Sequence, residues 1–119
     1  MIYLFYRVKF AMIHFVDPLN QTVELTRSVL HGHIYRRHPE LKRKEKLIEQ
    51  TITDPDFIAK SKKDNHSLLY FRAMKRSMYL MVVASPIAGK PNHLTIRTSF
   101  YTLNTSKGDP IIWQKKIST

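Results

Sequence analysis

The hydrophobic period of this chain shortens to two near Ser67, and no other feature restricts its fold as much. Leu94, Ile96, Thr98 and Phe100 alternate with Thr95, Arg97, Ser99 and Tyr101. Side chains that alternate in this way line opposite faces of a strand, as in an antiparallel sheet with one covered and one open face. Ser67–Met74, Met78–Ser85 and Pro110–Gln114 also read as strands, set apart by Lys75-Arg76-Ser77, Pro86–His93 and Thr105–Asp109. Tyr79-Leu80-Met81-Val82-Val83-Ala84 is apolar on both faces, which places it centrally in the sheet. The short connectors predict that consecutive strands pair antiparallel.

Ahead of Ser67, Met12–Val16 and Thr22–Leu25 flank Asp17-Pro18-Leu19-Asn20-Gln21, whose turn-forming residues predict a hairpin. Thr26 stands where a helix N-cap belongs. After it Val29, Leu30, His33, Ile34 and Arg37 form one helical stripe, and His31, Tyr35 and His38 another. Pro39 ends that helix and suits the first position of a second, which runs to about Ile52 with Leu41, Leu47, Ile48, Thr51 and Ile52 inward. Asp54-Pro55-Asp56 predicts a short third helix through Lys60. The expectation is a single α+β domain over residues 1–119, with residues 1–11 a variable extension. It has an N-terminal hairpin and two to three helices packed on one face of a four-stranded antiparallel sheet. The open face is expected to carry Tyr70, Arg72, Arg97, Ser99 and Tyr101.

The apolar start, Ile2 to Val16, is interrupted by Arg7, Lys9 and His14, whereas a membrane span needs about 20 apolar residues. A signal peptide would carry its positive charge ahead of the apolar run. The segment therefore reads as a strand, and the protein as cytoplasmic with no membrane partner. The chain has no cysteine, which excludes disulfides, thiol nucleophiles and Cys-type zinc sites and fits a reducing compartment.

Charge points to the partner. Twenty Lys and Arg against nine Asp and Glu give a formal charge of +11, and such an imbalance opposes compaction by self-repulsion. Residues His31 to Lys46 hold three of the six histidines and six of the twenty cations. Only Glu40 and Glu45 offset them. Lys60-Ser61-Lys62-Lys63, Lys75-Arg76 and Lys115-Lys116 continue the bias. Cations interleaved with aromatic rings suit phosphates and unstacked bases, and the lack of a helix-turn-helix or heptad pattern favours RNA over duplex DNA. Arg36, Arg37, Lys42, Arg43, Lys44, Lys46, Lys62 and Lys63 are the candidate phosphate contacts, and Tyr70 and Tyr101 the candidate stacking platforms.

Three glycines leave no phosphate-cradling loop, and Gly-x-Ser-x-Gly is absent. No acidic cluster could hold two magnesium ions, so no metal and no cofactor are expected. Cleavage of RNA without metal needs a base, an acid and cations on the phosphorane oxygens, and His, Arg, Lys and Tyr can supply these. His33, on the apolar stripe, is either structural or catalytic. His38 is either a base or a cap ahead of Pro39. His31-Gly32-His33 is a poor metal motif, because residues two apart do not share a helix face. His66 and His93 fall at strand starts, where solvent exposure is the default.

Phe15-Val16-Asp17-Pro18-Leu19, His33-Ile34-Tyr35-Arg36-Arg37-His38-Pro39-Glu40, Asp54-Pro55-Asp56-Phe57-Ile58, Tyr70-Phe71-Arg72, Arg97-Thr98-Ser99-Phe100, Lys107-Gly108 and Trp113 follow one another along the chain. In this order they resemble the phage-associated branch of the barnase–EndoU–colicin–RelE-like nuclease superfamily, over about Met12 to Trp113. The resemblance implies N-terminal helices followed by a four-stranded antiparallel sheet. It also implies a toxin-like or phage-defence endoribonuclease that cuts RNA (tRNA, mRNA or ribosome-bound) without metal, and an acidic antitoxin or immunity protein as partner. By matching position it marks His33, Arg37, His38, Arg72, Thr98 and Lys107. Arg72 and Arg97 would hold phosphate, Lys107 would add charge, His38 or His33 would move protons, and Glu40 would pair with an arginine. Thr98 alternates onto the face opposite Arg97, so placing both in one site requires a β-bulge. A non-catalytic RNA- or ribosome-binding module, or a basic module docking an acidic antitoxin, are the rival readings.

Overall fold

The computed structural model describes residues 12–64, 66–103 and 109–116. It is α+β, with seven strands and two short helices among the described residues. The strands are β1 (Met12–Val16), β2 (Thr22–Thr26), β3 (Phe57–Lys60), β4 (Leu68–Ala73), β5 (Tyr79–Pro86), β6 (His93–Thr102) and β7 (Ile111–Gln114). The first helix, α1, covers residues 27–37 and contains a π turn at Leu30–Ile34; the second, α2, is Glu45–Thr53. No described helix is long and apolar enough to cross a membrane.

The expected four-stranded antiparallel sheet is corrected to one seven-stranded mixed sheet of order β1-β2-β6-β5-β4-β3-β7. Three local facts account for the difference. First, the hairpin belongs to the sheet: β2 pairs in parallel with the start of β6, Val23 opposite Leu94. Second, residues 57–60 form a strand where a third helix was expected. Asp56 does not cap a helix; its N–H donates to the Phe71 carbonyl, and its carboxylate accepts from the Ala73 N–H, both at 2.7 Å. The chain is thereby laid beside β4. Third, β7 does not follow β6 in space. One side of β6 is taken by β5, and β2 and α1 pack against it as well. β7 instead pairs with β3, Trp113 opposite Ile58, at the far edge. The apolar run Tyr79–Ala84 does lie in the middle strand.

The second expected helix also divides. Pro39–Leu41 forms a single 3₁₀ turn, Arg43 takes a left-handed conformation at φ 64°, and α2 starts only at Glu45. The break lets Leu41 and Ile48 both reach full burial.

Both helices pack on one face of the sheet. There Leu30, Ile34, Ile48 and Ile52 meet Phe15, Leu25, Ile58, Tyr70, Val82 and Ile96. On the other face Phe57 stacks on Phe71 at 4.6 Å between ring centroids, with Tyr79, Met81 and Val83 around them.

One departure from simple alternation decides which side chains of β6 face the helices. Val83 pairs with Thr98, but Ala84 pairs with Ile96, so Arg97 is the extra residue of a β-bulge. Beyond it the faces exchange. Ser99 and Tyr101 turn to the helix side, and Thr98 and Phe100 to the other. Tyr70, expected on an open face, is fully buried under the helices. Arg72 shares its face, half-buried at the strand end.

Candidate nucleic-acid interface

The basic run gathers around the C-terminal end of β6. Thr26 starts α1, its Oγ1 accepting the Val29 N–H at 3.1 Å. The π turn then carries the helix on to Arg37, with Leu30 and Ile34 buried and Arg36 and Arg37 exposed. His38 leaves the helix at φ −133° and stacks on Phe100, 5.3 Å between centroids and 26° between planes. Its Nδ1 lies 3.9 Å from Glu40 Oε2, so Glu40 faces a histidine rather than an arginine. Lys42, Arg43, Lys44 and Lys46 are all exposed in the turn that follows and in the start of α2. Among the described residues none of these six cations forms an ion pair; Lys44 Nζ sits 5.7 Å from the centre of the Tyr101 ring.

Beneath this surface Tyr35 is 7% exposed, and its hydroxyl makes no hydrogen bond of good geometry. Burial, and then the nearby Glu45 carboxylate, hold its phenol well above the ordinary tyrosine pKa. Glu45 is one of only two carboxylates in the basic run, and its closest consequence lies beneath the surface.

Tyr101 and Arg72 stand on either side of Leu80 on one face of the sheet, two strand spacings or about 10 Å apart. Arg72 is already engaged. Its Nη1 donates to the Asp54 carbonyl at 2.7 Å and lies 3.5 Å from Asp54 Oδ2. Lys115 Nζ is 3.1 Å from Asp54 Oδ1. Lys115 first, and Arg72 after it, hold the Asp54 carboxyl below its usual range. The triad fastens the end of α2 to β4 and to the chain after β7.

The structure therefore brings Arg36, Arg37, His38, Lys42, Arg43, Lys44, Lys46 and Tyr101 to one end of the molecule, with Arg72 on a neighbouring strand. Among the described residues, Lys62, Lys63 and Tyr70 lie elsewhere. His33 is half-buried on the π turn. Arg97 is exposed at the bulge, and Thr98 faces away from the helices. Lys62 and Lys63 lie in the β3–β4 loop, where the Lys62 N–H donates to Asp109 Oδ1 at 2.7 Å. Tyr70 cannot offer a ring to a base, because it is 0% exposed and its hydroxyl is bound to Asp17. Lys107 lies outside the described residues. Phe100, which positions His38, was missed because alternation alone assigned it to the core.

No group of three or more His, Cys, Asp or Glu able to hold a metal ion occurs among the described residues. The chain matches no protein-family model, no curated protein and no solved structure, so the comparisons do not assign it to the nuclease superfamily that its motifs resemble.

Proposed function

We propose that this protein binds RNA through its basic end, as a small module that recognises phosphates and unstacked bases. The observation that carries this reading is the set of six exposed cations around Tyr101 and His38, held on a helix end and a short turn, that form no ion pair among the described residues. Cations without internal partners are free to neutralise phosphates and release counterions. The half-buried Tyr101 ring, bordered by Lys44, suits stacking of a single-stranded base. Binding fits this end better than cleavage does, because Arg72 is already engaged by Asp54 and His38 faces the Glu40 carboxylate.

The test is fluorescence anisotropy with a 20-nucleotide single-stranded RNA across a salt series, comparing the wild type with the Lys42→Glu/Arg43→Glu/Lys46→Glu variant. Removal of three phosphate contacts should flatten the log–log salt slope by about 2. Unchanged affinity and slope in the variant would overturn the assignment. Incubation with RNA and EDTA in parallel reads cleavage directly, and fragments ending in 2′,3′-cyclic phosphate would move the conclusion from binding to nuclease.

A further inference from the structure

A second polar site lies at the opposite end of the sheet. His93 opens β6 and Tyr101 nearly closes it, so the two are about 25 Å apart along the strand. At the His93 end, the β1–β2 turn, the β3–β4 loop and the β5–β6 turn enclose an open cleft of about 640 Å³. Pockets of several hundred Å³ are the usual size for small ligands.

Lys60, His66, Lys90 and His93 line this cleft, over a floor that includes Leu68, Leu94 and Ile112. No Asp or Glu is among the lining residues. A cavity with four groups able to carry positive charge, and no carboxylate in its wall, selects an anion. The apolar floor adds a preference for an anion that also carries a flat or greasy portion.

The wall is built rather than loose. The Ile87 N–H donates to the His93 carbonyl at 2.9 Å, and the Thr22 N–H to the Asn92 carbonyl at 2.9 Å. These bonds tie the turn bearing Lys90 and His93 both to itself and to β2. Gly89 takes φ 78° within it, a left-handed conformation that glycine adopts without strain. His93 Nδ1 lies 2.9 Å from the Pro91 carbonyl oxygen. A carbonyl can only accept, so Nδ1 carries a proton and Nε2 is the nitrogen left for a ligand.

We infer that the cleft binds a nucleotide. Lys60, Lys90 and the two imidazoles hold its phosphate, and its base lies over the apolar floor of Leu68, Leu94 and Ile112. The nucleotide is either free or part of an RNA strand, and the site stands on its own geometry, independent of the basic end.

The experiment follows the imidazole resonances of the whole protein by NMR during titration with adenosine 5′-monophosphate, uridine 3′-monophosphate or inorganic phosphate. His66 and His93 should shift while His31 and His38 stay still, and a nucleotide should bind more tightly than phosphate alone. The Lys60→Ala/Lys90→Ala variant, which alters only exposed side chains, should weaken nucleotide binding about tenfold or more. The Lys42→Glu/Arg43→Glu/Lys46→Glu variant should leave it unchanged, which separates this site from the RNA-binding end. A short RNA that moves His66 and His93 assigns the nucleotide to an RNA strand; a response to mononucleotides alone assigns it to a free nucleotide. Immobile His66 and His93 at millimolar nucleotide would overturn the inference. So would affinity indifferent to Lys60 and Lys90, or equal affinity for inorganic phosphate.

Discussion

The Tyr70 hydroxyl donates to Asp17 Oδ2 at 2.6 Å inside the helix-covered core. The other carboxylate oxygen of Asp17 accepts the N–H groups of Leu19 and Gln21, at 3.0 and 2.7 Å. One buried carboxylate thus shapes the β1–β2 turn and satisfies a phenol on β4. Tyr70→Phe should cost about 1.5–3 kcal/mol in a urea denaturation, because the lost hydrogen bond is to a charged group. Burial first, and then Asp17, raise the Tyr70 pKa, and burial raises that of Tyr35. In the unfolded chain both phenols ionise near 10.0, whereas the folded chain keeps them neutral. Stability from this source is therefore complete below pH 10 and declines as pH rises beyond it. Absorbance at the phenolate band during alkaline titration should rise with unfolding, and Tyr70→Phe should lessen the pH dependence. Neither burial was legible in the sequence. Alternation sorts Tyr70 with Arg72, and the charged member suggested an open face. Arg72 is tolerated on the covered face because it lies at the strand end, where it reaches Asp54.

At the scale of elements, α1 and β6 each contain an irregularity that no residue announces. Leu30–Ile34 is wound as a π turn, closed by the Tyr35 N–H to the Leu30 carbonyl. Gly32 lies within it, and a Cβ there would meet nothing within 4 Å. Gly32→Ala should stabilise the fold by about 0.5–1 kcal/mol, through reduced freedom of the unfolded chain; thermal melting checks it, and a lower melting temperature would mean that the π turn needs glycine. In β6 the bulge at Arg97 exchanges the faces of the following residues. Its sequence, with neither Gly nor Pro, alternates as a regular strand would, so the inward positions of Ser99 and Tyr101 could not be read from it. The Thr26 cap and the stop at Pro39 were readable, because capping and proline geometry act over a few residues. Asp54-Pro55-Asp56 misled for the complementary reason: the same residues that cap a helix can donate to and accept from a neighbouring strand.

For the whole molecule, a net charge of +11 on 119 residues repels itself, and six cations of the basic run form no ion pair among the described residues. Raising NaCl from about 10 mM to 150 mM shortens the Debye length from about 30 to 8 Å. The melting temperature should rise by about 4 °C, as a gain of about 1 kcal/mol would produce in a small domain. A melt insensitive to salt would show that the cations are spaced widely enough not to oppose folding. What the sequence by itself determined is local: the extended character of every described strand but β3, the hairpin turn, the helix start at Thr26 and the positive balance of the chain. Each of these follows from steric and electrostatic preferences acting within a few residues. Only the tertiary structure decided the order of the seven strands, the face on which Tyr70 and Tyr101 lie, and the meeting of Lys60, His66, Lys90 and His93 in one cleft. Those outcomes depend on which apolar surfaces bury one another across long separations in the chain, and a local pattern does not encode that competition.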